Sequence, residues 1–168
     1  VMKIRPLFKG LVTYSSFLNK FFSQQTGGTD SARYCYSIWL RHLVMAEKNG
    51  LNTRPQIIAE LGPGDSLGIG LAALISGCDK YYAFDVVKFS KIKRNLDIFD
   101  ELVHLFKNKT PIPGEDEFPK VKPYLDNYKF PCSIFNNNRL NNALDSHRIE
   151  KIRNAISDLK DSNEIIQY

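Results

Sequence analysis

The chain has 168 residues, 43% of them hydrophobic, a formal charge of +5 and a pI near 9.1. That is one ordinary domain's worth, with enough apolar residues for a core. No apolar run approaches the ~20 residues of a membrane span. The N-terminal stretch lacks the apolar core and cleavage site of a signal peptide. Cys35, Cys78 and Cys132 are odd in number and far apart, which indicates neither a disulfide framework nor a zinc site and fits a reducing cytoplasm. His42, His104 and His147 are isolated, so no metal centre is expected. The densest basic group, Lys88, Lys91, Lys93 and Arg94, reads as the solvated start of a helix rather than a nucleic-acid patch.

Val1 is not Met, so a clipped start or a partial chain is expected. Residues Met2 to Gln25 are basic and aromatic, and Tyr14, Phe17, Leu18 and Phe21 have the spacing of an amphipathic helix. It reads as a lid or packing helix, with a membrane-surface anchor as the other reading. Thr26 to Asp30 is a hinge ending in a helix N-cap signal. The spacing predicts a helix over Ser31 to Lys48, with Cys35, Ile38, Trp39, Leu43 and Ala46 on one stripe and Trp39 in the core. Asn49-Gly50 closes it.

The organising stretch is Gln56 to Val87, QIIAELGPGDSLGIGLAALISGCDKYYAFDVV. Gln56 to Leu61 reads as a first strand. Gly62-Pro63-Gly64-Asp65-Ser66 is a turn-rich corner. Leu67, Leu71, Leu74 and Ile75 have helical spacing, closed by Gly77. Tyr81 to Phe84 reads as a second strand, ending in Asp85. Strand, glycine loop, helix, strand and acid form the opening unit of a Rossmann-like, doubly wound parallel α/β sheet. Ligands of such sheets sit beyond the carboxyl ends of the strands, where Glu60, Gly62, Gly64 and Asp85 would meet. The dinucleotide fingerprint G-x-G-x-x-G needs a third glycine at position 67, which is Leu67. A P-loop needs a Lys that is absent here.

A second long helix is expected from Ser90 to Asn108, its buried face made by Ile92, Leu96, Phe99, Leu102 and Phe106. Residues 110–145 form an insertion. Its first part, Thr110 to Pro131, holds five prolines and reads as a flap with little regular structure. Asn136-Asn137-Asn138 reads as a turn in a loop leading to a helix. Ser146 caps a last helix, His147 to Lys160, and Glu164 to Tyr168 reads as a third strand. No internal repeat or low-complexity linker interrupts the chain, so a single domain is expected over 1–168, with 1–50 as an N-terminal helical lid.

The pattern E-x-G-x-G at Glu60, Gly62 and Gly64 resembles motif I of class I S-adenosylmethionine-dependent methyltransferases. The segment GGTDSARYCYSIWLRHL looks like the corresponding part of methyltransferase-domain proteins from bacterial surface-polysaccharide gene clusters. The resemblance implies S-adenosyl-L-methionine as cofactor, held by Glu60, Gly62, Gly64, Asp65, Ser66, Asp85 and Val86. Asp85 would bind the ribose hydroxyls, because a carboxylate accepts hydrogen bonds from a diol. Ser31, Arg33 and Tyr34 would face the methionine end, with Arg33 on its carboxylate. The other reading of Arg33 and Tyr34 is an exposed Arg and a half-buried Tyr.

A complete sheet of that family has about seven strands in the order 3-2-1-4-5-7-6. This chain supplies three, so the resemblance covers the cofactor half and names no catalytic base. The implied reaction is methyl transfer to an acceptor, a sugar or glycan intermediate by resemblance. The competing reading is a non-catalytic half-fold that pairs with another chain. An incomplete sheet would leave strand 1 with an open apolar edge, Ile57-Ile58-Ala59, where self-association or a partner chain is expected.

Overall fold

The computed structural model describes residues 28–86, 88, 90–159 and 163–168. The expected N-terminal amphipathic helix lies outside these residues. In chain order the elements are α1 (Ala32–Lys48), β1 (Ile57–Leu61), α2 (Gly68–Ile75), β2 (Lys80–Phe84), α3 (Ile92–Lys107), α4 (Asn137–Ala143), α5 (Ser146–Ser157) and β3 (Ile166–Gln167). The strands are all parallel and ordered β1-β2-β3. The fold is an open, incomplete Rossmann-like parallel sheet with a helix ahead of its first strand. Helices make both crossovers, as parallel pairing requires.

Local chemistry sets the element ends. Ser31 has an extended backbone, and its hydroxyl accepts the Tyr34 N–H to start α1. Asn136 does the same for α4 by accepting from Arg139 N–H, so the asparagine run expected to be a turn opens a helix instead. The cap of α5 is Asp145, one residue before the expected Ser146; its carboxylate accepts from His147 and Arg148 N–H. β3 is shorter than expected, only Ile166 and Gln167.

The register places Ile58 beside Tyr81 and Glu60 beside Ala83 on one face of the sheet. Tyr81 and Ile166 on that face are fully buried beneath the helices. On the other face Ile57, Leu61 and Phe84 are 59%, 85% and 54% exposed. The described helices therefore cover a single face. Among the described residues no strand pairs with the far edge of β1.

Helix α2 is apolar throughout, and seven of its eight residues are buried. It lies against β1 and β2, with α1 and α3 packed on it. Contact with β2 is unusually close. A Cβ added at Gly70 would lie 2.1 Å from Cζ of Tyr81. Close helix–strand packing is the task of the third glycine in dinucleotide folds, and here Gly70 performs it.

Helix α1 is buried more widely than the expected stripe. Tyr36 and Leu40 are fully buried, while Trp39 is half-buried and donates from Nε1 to Ser76 Oγ at 2.9 Å. The reason is that α1 packs between the other helices and the chain that connects α3 to α4. That connection has no helix or strand, as expected for the flap. It is fastened to α1 by polar bonds. Tyr36 Oη donates to Thr110 O and Ser37 Oγ to Pro113 O, each at 2.7 Å. Arg41, wholly buried, donates to Pro113 O at 2.8 Å and to Val121 O, with its guanidinium 5.0 Å from the centre of the Tyr128 ring.

Two outcomes follow from this packing. Gly70→Ala forces a methyl group into the Tyr81 ring, and overpacking of this kind costs about 1–3 kcal/mol or more; urea denaturation should show the unfolding free energy falling by that much and the midpoint falling with it. Arg41→Ala removes charge-assisted bonds worth roughly 1.5–3 kcal/mol each and strands the loop carbonyls. Limited proteolysis should then cut between residues 113 and 128 well before the rest of the chain, whereas the parent resists there.

Candidate functional site

The carboxyl ends of the strands surround a cleft of about 600 Å³, lined by Leu61, Gly62, Ala83, Phe84, Asp85, Val86, Lys88 and Tyr168. That volume falls in the ordinary range for small-molecule sites. The lining is largely apolar, with Asp85 and Lys88 supplying charge. Gly62 and Gly64 have φ of +70° and +78°, a conformation that side-chain-bearing residues rarely adopt. Space beside Gly62 is open, for a Cβ built there meets nothing within 4 Å. Val86 is 97% exposed at the rim.

The loop from Gly62 to Ser66 is held from a distance by Thr29. Its carbonyl accepts from Ser66 Oγ, and its hydroxyl accepts the Asp65 N–H at 3.1 Å. Cys35 Sγ also lies 3.5 Å from the Thr29 carbonyl. Burial pushes the Cys35 thiol up to about 12, so it is a protonated packing group and not a nucleophile.

The start of α2 is satisfied by the protein itself. Leu67 N–H donates to Asn95 Oδ1 and Gly68 N–H to Ser66 Oγ, both at 3.0 Å. Gly70 N–H donates to the Glu60 carboxylate. Helix N-termini bind phosphate through such groups when they are free. Here three of them are taken.

The expected site residues separate into three groups. Gly62, Asp85 and Val86 line the cleft, with Gly64 and Asp65 in the loop behind it. Glu60 instead points to the covered face of the sheet, where it accepts Tyr81 Oη at 2.6 Å. Burial raises its pKa above the ordinary glutamate value, while the bonds from Tyr81 and Gly70 pull it back down. Ser66 is buried and spent on Thr29 and Gly68. The third group is at the start of α1. Ser31 is its cap, and Tyr34 packs edge-on against Phe118 with ring centres 5.4 Å apart. Arg33 grips both carboxylate oxygens of Glu117 at 2.7 and 2.6 Å, which raises its own proton affinity and lowers that of Glu117. A ligand carboxylate would have to displace Glu117 to reach Arg33.

Thr29, Asn95, Lys88 and Tyr168 belong to the neighbourhood but carry no motif. Lys88 Nζ stands 5.4 Å from the centre of the Tyr168 ring, and Tyr168 Oη accepts the Ser90 N–H at 3.3 Å. The position of Tyr168, just beyond β3, was the one available signal, since cleft residues gather at strand carboxyl ends.

Among the described residues no group of three or more His, Cys, Asp or Glu could hold a metal ion, and no helix is long and apolar enough to cross a membrane. No protein-family model, curated protein or solved structure matches the chain.

Glu60 gives a test of this local geometry. Its raised value means that the folded protein keeps a proton there which the unfolded chain has already released. Stability from this residue is therefore greatest below the ordinary glutamate value and is lost as pH rises through the raised folded value. In urea titrations upward from about pH 4, the stability of the parent minus that of Glu60→Gln should decline with pH and level off above the raised folded value. A constant difference would contradict the burial of an ionisable group at this point.

Proposed function

We propose that the chain is the cofactor-binding portion of an S-adenosyl-L-methionine-dependent methyltransferase. The observation that carries the reading is the meeting of Gly62 and Asp85 around one cleft at the carboxyl ends of β1 and β2. The residues there fit the cofactor. Gly62 leaves open space for a ligand to lie against the backbone. Asp85 offers oxygens to a ribose diol, and Leu61, Phe84 and Val86 offer apolar surface to an adenine ring. The spent N–H groups at the start of α2 argue against a dinucleotide, whose pyrophosphate would need them.

Bound there, the cofactor would supply an electrophilic sulfonium methyl group for an acceptor oxygen or nitrogen. The chain's own part is to bind and orient. Asp85 fixes the ribose, and Gly62 and Gly64 set the depth of the ligand. Thr29 holds the glycine loop in place. A sugar or glycan intermediate as acceptor is carried by the resemblance of the α1 segment alone. A cytoplasmic setting accords with three free thiols.

A second reading is favoured by the uncovered sheet face. Ile57, Leu61 and Phe84 would suit a half-fold that docks on another chain and binds no adenosyl ligand. Calorimetry with S-adenosyl-L-methionine, S-adenosylhomocysteine and NAD separates the two. Binding of the adenosyl ligands without NAD is the expected result, and silence toward all three would favour the docking module. Asp85→Ala should weaken S-adenosylhomocysteine at least tenfold, since each bond to a charged acceptor is worth roughly 1.5–3 kcal/mol, while the variant remains folded. Parental affinity in that variant would remove Asp85 from the site.

A further inference from the structure

A second cavity, of about 410 Å³, lies at the opposite end of α2 from the glycine loop, about 12 Å away at 1.5 Å per residue. Arg54, Ser76, Gly77, Asn138, Arg139 and Arg148 are among its lining. Two of the three arginines have structural work. Arg139 donates to Ile134 O at 3.0 Å and Thr53 O at 2.8 Å, with its guanidinium 4.5 Å from the centre of the Phe135 ring. Arg148 donates to Leu74 O at 3.0 Å and to Cys78 O. Arg148, through Leu74 O, and Arg139, through Ser76 O at 3.4 Å, both neutralise carbonyls at the C-terminal end of α2, where cations are favourable.

That work leaves donors over. Arg148 Nε is buried and has no hydrogen-bond partner, a costly state for a charged group. Among the described residues the Arg54 guanidinium makes no hydrogen bond or ion pair. The side-chain amides of Asn138 and Asn142, one helical turn apart on α4, also line the cavity, and among the described residues they make no hydrogen bond. Asp79 pairs with Arg148 at 3.6 Å, but three arginines and no acid line the space, so positive charge exceeds negative around it. Arg139 feels this, for its proton affinity is lowered first by burial and next by Arg54. An anion seated between the guanidiniums would relieve both.

We infer that this cavity is a binding site for a small oxyanion, a phosphate or carboxylate group, gripped by Arg54 and Arg148 and oriented by the Asn138 and Asn142 amides. Guanidinium forks match both groups geometrically. The site stands apart from the strand-end cleft and does not depend on what that cleft binds.

The test uses the whole chain, labelled with ¹⁵N and titrated with sodium phosphate, sodium acetate and glucose at constant ionic strength. Saturable shifts confined to residues 53–54, 76–79 and 136–148 are expected with phosphate or acetate, and none with glucose. The tighter of the two anions identifies the group recognised. Arg54→Gln and Asn142→Ala alter exposed side chains and should fold as the parent does. Arg54→Gln should weaken the anion at least fivefold, and Asn142→Ala should do so more mildly. Linear, unsaturated shifts with both anions, or equal affinity in Arg54→Gln, would overturn the assignment.

Discussion

The βαβ unit closes on one buried side chain. Tyr81, on β2, fills the notch that Gly70 leaves in α2 and donates its hydroxyl to Glu60 on β1. Three elements meet at that ring. Any side chain at position 70 would push the helix off the sheet, and any loss of the hydroxyl would leave the Glu60 carboxylate buried with one bond fewer. Burial of the ring and satisfaction of the acid are coupled, so neither can be altered alone. The orientation of α2, and with it the course of the glycine loop, follows from this contact.

The same contact explains what the loop can bind. Because Glu60 turns inward to Tyr81 and Gly70, it is not at the mouth of the cleft. Ser66 and Asn95 occupy the other amides at the start of α2. The cleft therefore presents backbone, apolar side chains and Asp85 rather than an anion cradle. One end of α2 is closed to anions by its own neighbours. Its other end gathers guanidiniums whose donors are not all taken up by the carbonyls they serve.

Much of this was legible in the sequence because it is local. The corner Gly62-Pro63-Gly64, the helical spacing from Leu67 to Ile75 and the apolar runs on either side place β1, α2 and β2 within a residue of where they stand. Asp85 could be assigned to the strand end by position alone. The parts that were not legible are long-range. Thr29 reaches a loop 36 and 37 residues further along the chain, and nothing near it marks that task. Arg41 carries no sequence signal of its own, yet it is wholly buried because a loop some 80 residues later covers it. Which face of the sheet is covered was equally invisible, since parallel strands read as continuous apolar runs. Asn136 deceived for a different reason: the preference of asparagine for turns and for helix caps rests on the same side-chain bond to backbone.

Arg41 also constrains how such a chain can change by descent. Its guanidinium is buried inside a loop whose carbonyls are its partners, and its Nε has none. Shortening the loop by single deletions would expose the partners one at a time and leave a buried charge at every intermediate. Replacing Arg41 first would strand the carbonyls in a loop still at full length. Lineages are thus expected to keep both or to lose both together, so the proline-rich loop, though irregular, should vary in length less freely than surface loops ordinarily do.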